Sequence, residues 1–184
     1  MHAFSDRVIF YDLETTGLKS TDAIIEIAGK DNMGTIFTKL INPECEICDF
    51  IVNLTGINNK MVKYRNTIEQ SKGLINEYFE FNNETVYLVA HNGDSFDMRF
   101  LKKHFNIKCK HIDSLKLFRK LISQNRYSIK YLCEIYKIDC SGHHRALEDV
   151  IILEKLFMKA IELYKIKYDK DHVDMREIYE YVYN

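Results

Sequence analysis

The stretch Val8-Ile9-Phe10-Tyr11 is apolar at every position and then breaks off into Asp12-Leu13-Glu14-Thr15-Thr16-Gly17-Leu18. A strand that is apolar on both faces belongs inside a sheet with packed layers on each side, because neither face can be left to water. The chain repeats the pattern at Leu88-Val89-Ala90, which runs into His91-Asn92-Gly93-Asp94-Ser95-Phe96-Asp97. A third apolar stretch carries Asp113, and His143-His144-Arg145-Ala146-Leu147-Glu148-Asp149 opens a long amphipathic segment. Acids at strand ends and helix starts have a chemical use and make little sense as core.

The rest of the chain supplies the layers. Residues 7–13 are expected as a central strand, followed by strands over 23–28 and 35–41. Asp31-Asn32-Met33-Gly34 between the last two is hairpin chemistry, so the first three strands form an antiparallel meander. Residues 44–66 read as loop with short helical turns, 67–80 as helix and 85–90 as a buried strand. Phe96, Phe100, Leu101 and Phe105 recur at helical spacing with Ser95 or Asp94 as a cap. His111 to Leu117 starts as strand and turns into helix, and Ser128 caps another. Ala146, Val150, Leu153, Phe157 and Ile161 form the cleanest amphipathic stripe. Residues 171–184 fit a last short helix packed on the domain. The expectation is an α/β domain spanning 1–184, a mixed sheet covered by helices.

Bulk properties bound the partners. A formal net charge of -1 and a pI near 6.7 give no global basic field, so nucleic acid requires local positive charge or metal ions. No charged-then-apolar leader and no apolar run of about 18 residues is present. The chain is therefore expected inside the cell, cytoplasmic or nuclear, neither secreted nor bound to a membrane. The five cysteines, Cys45 and Cys48 among them, lack a second pair at zinc-ligand spacing and read as reduced thiols.

Asp12 and Glu14, two apart on a strand, leave from the same face. Two carboxylates so close repel unless a cation sits between them. Asp97 and Asp149 each lie in the first turn of a helix, where the macrodipole alone favours an anion, so the argument rests on the conjunction of all four. Oxygen ligands suit Mg²⁺ or Mn²⁺, and four carboxylates can hold two such ions about 4 Å apart, the arrangement used in phosphodiester cleavage. His144, five residues before Asp149, is placed to act as a base. His143 reads as a solvated loop residue, Asp94 as a turn or helix cap, and Asp113 as structural.

These islands resemble the DEDDh 3′–5′ exonucleases, the DnaQ-like branch of the ribonuclease H-like fold. Tyr11 to Leu18 is similar to the family's first motif, Ala90 to Asp97 to its second, and His144-x-Ala146-x-x-Asp149 to its third. Ile24-Ile25-Glu26-Ile27, Leu54-Thr55-Gly56-Ile57 and Ile112-Asp113-Ser114-Leu115 resemble supporting landmarks, so the likeness spans residues 7–160 and leaves 161–184 as a helical tail. Ala90-His91-Asn92-Gly93-Asp94 with Tyr127-Ser128-Ile129 is most similar to the three-prime repair exonucleases.

The resemblance implies a mixed five-stranded sheet, meander first and parallel strands after, flanked by helices. It implies two Mg²⁺, with Mn²⁺ able to substitute, held by Asp12, Glu14, Asp97 and Asp149, with His144 as general base. Thr15, Thr16, Gly17 and Leu18 would receive the 3′-terminal nucleotide with His91, Asn92 and Phe96 around it. The partner implied is the 3′ end of DNA, single strands preferred, with RNA as the alternative substrate and a non-catalytic binding module as the alternative class. The three-prime repair enzymes are dimers, which leaves a homodimer open. Lys102, Lys103, Lys108, Lys110, Lys116, Arg119, Lys120, Arg126 and Lys130 offer a track for phosphates or a solvated face.

Overall fold

The computed structural model describes residues 4–19, 21–140 and 145–184. Five strands, β1 (Val8–Thr15), β2 (Ile24–Asp31), β3 (Ile36–Leu40), β4 (Tyr87–Ala90) and β5 (Lys110–Asp113), form one sheet in the order β3-β2-β1-β4-β5. The β1–β2 and β2–β3 pairs are antiparallel, and β1–β4 and β4–β5 are parallel. This is the meander followed by parallel strands that the sequence implies.

The helices are α1 (Asp49–Thr55), α2 (Asn59–Val62), α3 (Ile68–Phe79), α4 (Asp97–His104), α5 (Ser114–Leu121), α6 (Ile129–Tyr136), α7 (Ala146–Tyr168) and α8 (Met175–Tyr183). Thr67 and Gln70 build a capping box at the start of α3, and Ser128 caps α6. Asp31 closes the β2–β3 hairpin by accepting from the N–H groups of Met33 (3.0 Å) and Thr35 (2.8 Å). None of the described helices is long and apolar enough to cross a membrane.

Alternation along β1 decides where the site lies. Ile9, Tyr11 and Leu13 pack with Ile75 and Phe79 of α3 and Phe100 and Leu101 of α4. Val8 and Phe10 face the other way, into a core with Val150, Leu153 and Phe157 of α7. Side chains on a strand alternate, so Asp12 and Glu14 continue the Val8–Phe10 row and emerge on the α7 face. β1 runs through both acids to Thr15. It ends two residues beyond the expected bound of 13, with both acids within it, as their shared face requires. The tail is core as well: Ile161 and Tyr164 of α7 and Met175, Ile178 and Val182 of α8 join the α7-side cluster.

Candidate active site

Asp12, Glu14 and Asp149 each offer a carboxylate oxygen, and these atoms lie within 4.8 Å of one another. Asp149 is buried one turn into α7, whose first turn therefore faces the end of β1. Asp97, the first residue of α4, is also buried. It stands outside the 4.8 Å group but acts on Asp12 more strongly than any other neighbouring charge. Its Oδ1 is buried and has no hydrogen-bond partner. His144, expected as the base, and His143 lie outside the described residues.

The electrostatics show what the cluster lacks. Burial raises the Asp12 carboxyl well above its ordinary range, and Asp97, Asp149, Glu14 and Glu26 push it further. Burial raises Glu14 from 4.5 to about 8, helped by Asp149, Glu26 and Asp97, with Arg145 pulling the other way. Burial likewise raises Asp97 from 3.8 to about 8, although backbone N–H groups oppose it. Carboxylates gathered so closely are stable as anions only with positive charge among them. An all-oxygen donor set with one orphaned buried oxygen fits a hard divalent cation, and Asp12, Glu14, Asp97 and Asp149 could hold it.

Glu26, a family landmark in the sequence, has a defined task here. It pairs with Glu14 across the β1–β2 ladder and lies buried on the same face. Its carboxylate accepts from Arg145 Nε (3.1 Å) and NH2 (2.7 Å) and from the backbone N–H of Ala146 (3.1 Å). Arg145, at the N-cap position of α7, makes no side-chain cap, so Glu26 satisfies the helix end from the sheet. This clamp fixes the chain immediately after His144 and one turn before Asp149. Glu26→Ala is expected to lower stability by about 2–3 kcal/mol, since it strands a partly exposed guanidinium and an orphaned N–H. That corresponds to a fall of roughly 4–12 °C in a melting scan; an unchanged melt would show that the clamp is dispensable.

The second acidic island is built differently from its sequence reading. Neither Asp94 nor Ser95 caps α4: Phe96 occupies the N-cap position without a side-chain bond. Asp94 points the other way, accepting from His111 Nδ1 (2.8 Å), Lys116 Nζ (2.5 Å) and the Tyr183 hydroxyl (2.9 Å). Burial would raise its pKa, but these bonds prevail and hold it far below the ordinary carboxylate value. Two cation-forming partners outcompete a helix N–H for one carboxylate. Asp113 caps α5 through Leu115 N and accepts from Asn92 N (2.9 Å) and Asp94 N (3.3 Å). Asn92 adopts φ 63, which turns those N–H groups toward Asp113. A Cβ on Gly93 would meet Ala90 Cβ at 2.6 Å and His111 Nε2 at 2.8 Å, so only glycine fits this loop.

The expected substrate residues fall into two groups. Leu18 is 76% exposed at the tip of the loop after β1. Thr15 donates to Gly17 O (2.7 Å), Thr16 Oγ1 accepts from Ala23 N (3.0 Å), and Asp22 folds over Gly17, where a Cβ would lie 2.6 Å from its Oδ2. Arg99 and Lys103 of α4 hold this loop through Leu18 O (2.7 Å) and Asp22 O (3.1 Å). Sequence reasoning missed Arg99 in that role, since nothing in the pattern distinguishes it from a solvated cation.

Phe96 is half-buried, edge-on to Phe100 at 5.1 Å, and Asn92 is exposed. His91 has both ring nitrogens engaged within the chain, Nε2 with Tyr127 O (2.7 Å) and Nδ1 with Ser114 Oγ (2.9 Å). A carbonyl only accepts, so Nε2 carries the proton and Nδ1 accepts from Ser114. Burial lowers the His91 pKa and favours this neutral form. Much of the expected basic track is internally engaged: Lys110 on Tyr87, Lys116 on Asp94 and Lys120 on Tyr181.

The fold and these carboxylates define a ribonuclease H-like nuclease, and comparison with known proteins supports it. A family model described as "Exonuclease" matches residues 9–157. Exonuclease DPD1, chloroplastic/mitochondrial, of Arabidopsis thaliana is 35% identical over 177 residues, covering 83% of this chain and 55% of that protein. A PolC-type DNA polymerase III of Caldanaerobacter subterraneus subsp. tengcongensis is 33% identical over 165 residues, covering 84% of this chain and 11% of the polymerase.

Exonuclease X, solved in complex with 5′ overhanging duplex DNA, superposes with a TM-score of 0.69 at 27% identity, covering 84% of this chain and 91% of that one. E. coli Exonuclease I with a dA16 oligonucleotide has the same fold, with a TM-score of 0.73 at 15% identity over 97% of this chain and 43% of its own. The chain belongs to the DnaQ-like, DEDDh exonuclease family, whose members cut nucleic acid with divalent metal ions. It spans about half the length of the plant relative and about a tenth of the polymerase.

Proposed function

We propose that the protein is a metal-dependent 3′–5′ exonuclease that releases nucleoside 5′-monophosphates from DNA 3′ ends, with single strands preferred. The observation that carries this reading is the group of Asp12, Glu14 and Asp149 at the end of β1, with an orphaned Asp97 oxygen on α4. Asp12, Glu14, Asp97 and Asp149 would hold two Mg²⁺, with Mn²⁺ able to replace them. Bound ions supply the charge that lowers the pKa of a water and steadies the leaving 3′ oxygen.

The chain's own groups do the rest. His144 takes the proton from the attacking water, and the Glu26–Arg145 clamp holds the start of α7, which carries Asp149. The exposed Leu18 packs beside the terminal base, and the backbone of Thr15 to Gly17, held from α4, receives the terminal nucleotide. A second reading, favoured by the 33% identity to the polymerase, is an editing activity that works beside a polymerase. It uses the same chemistry.

Matched 5′-labelled DNA and RNA strands, incubated with Mg²⁺ or with EDTA, test the proposal. A metal-dependent ladder shortening from the 3′ end is the expected result, with DNA shortened faster. Absence of a ladder on both strands, from folded protein, would refute the exonuclease reading; a faster RNA ladder would reassign the substrate.

A further inference from the structure

Beside the carboxylates lies a groove of about 490 Å³, walled by Glu26, Arg145, Lys39, Leu40, Tyr64 and Arg65. The sheet register joins the two places. Glu14 pairs with Glu26, and Glu26 pairs with Leu40, so the groove floor lies on the sheet face that carries the acids. Two interstrand spacings of about 4.8 Å put Leu40 about 10 Å from Glu14. That is roughly three nucleotides at the ~3.4 Å rise of a stacked strand.

The lining is suited to an anionic chain with flat rings. Arg145, which also acts on Glu14, stands at the junction with its side chain 40% exposed, although Glu26 binds it. The ion pairs among the described residues do not include Arg65, which donates only to Met61 O through Nε (3.3 Å). Tyr64 is 87% exposed, with Lys63 Nζ 5.3 Å from its ring centre. No aromatic side chain among the described residues stacks on it, so a ring face is open beside unpaired cations. The loop carrying Leu18 leans toward α4 and the groove opens toward β3, with the end of β1 between them.

Resting on the exonuclease reading, we propose that this groove holds the single strand upstream of the cleaved bond, with Arg145 and Arg65 along its phosphates and a base stacked on Tyr64. A stack on one ring face takes any base, so the groove grips strand without reading sequence. DNA and RNA share that chemistry, and comparing the two in the assay below shows which the groove holds better.

The test uses Tyr64→Ala and Arg65→Glu in the full chain, each checked by melting. Cleavage is compared on an oligonucleotide of about a dozen nucleotides, the span of a single-strand site, and on a dinucleotide too short to reach Tyr64. Affinity for the labelled longer strand is read by anisotropy in an Asp12→Asn background. Each variant is expected to reduce both the kcat/KM preference for the longer strand and its affinity by roughly 10-fold. Arg65→Glu should also flatten the dependence of log Kd on log salt by about one unit or more. Unchanged preference and affinity, or equal loss on both lengths, would overturn the proposal. If the wild type cuts neither length, the exonuclease reading falls, and the affinity series alone decides the groove.

Discussion

Asp12→Asn is expected to cut the cleavage rate by at least about 1,000-fold, close to 4 kcal/mol of lost transition-state stabilisation, while making the metal-free protein harder to melt at pH 8. The two effects share one cause. Asp12 is half-buried among Asp97, Asp149, Glu14 and Glu26, and its charge is tolerable there only with a cation present. The amide keeps the shape of the carboxyl and removes one of the mutually repelling charges, so the apo fold gains. The same change removes a ligand, so Mg²⁺ should no longer raise the melting temperature appreciably. Single-turnover cleavage of a labelled strand and melting in EDTA and in Mg²⁺ read both effects. Full activity would remove Asp12 from the site. A lower apo melting temperature would show that its carboxylate is held by something other than metal.

The wild-type protein in EDTA should lose stability as pH rises from about 4 to about 8. Glu14 and Asp97 hold their protons up to about 8 when folded, against ordinary values of 4.5 and 3.8. Between those values the folded state binds more protons than the unfolded one, so each unit of pH favours unfolding. Below about 4 both states are protonated and the penalty vanishes; above about 8 it is complete. A fall of roughly 5 °C or more is expected across this window. Saturating Mg²⁺ or Mn²⁺ should flatten the profile, because ions bind the ionised ligands and oppose the same repulsion. A metal-free melting temperature that holds level or climbs between pH 5 and 8 would contradict the clustering of these acids.

The sheet was readable because β1 is apolar from Val8 to Tyr11 and β4 throughout, which only covered central strands tolerate. Asp12 and Glu14 were readable as one pair because strand alternation fixes their common face, and Asp149 because α7 has a clean apolar stripe. Asp94, read as a turn or helix cap, lies in a turn but caps no helix. Its partners His111, Lys116 and Tyr183 come from β5, α5 and α8, and local spacing says nothing about a carboxylate that turns away from its own helix. Glu26 was legible only as part of a family landmark, because its bond to Arg145 joins residues 119 apart. The basic stretch, read as a phosphate track or a solvated face, has several of its lysines engaged within the chain. Consecutive lysines in α4 and α5 drew notice, whereas Arg65 and Arg145 are scattered in sequence and meet only through the sheet edge.

Tyr183, near the end of α8, bonds to Asp94 and accepts from the Asp113 backbone at 3.2 Å. The loop that leads to Asp97 is therefore fastened by a residue 89 positions beyond Asp94 in the chain. At about 5–20 residues per second, Tyr183 follows Asp12 out of the peptidyl-transferase centre by on the order of ten to thirty seconds. A growing chain thus has all four carboxylates before it has the hydroxyl that braces the approach to one of them, and completion of the site is written into the direction of translation.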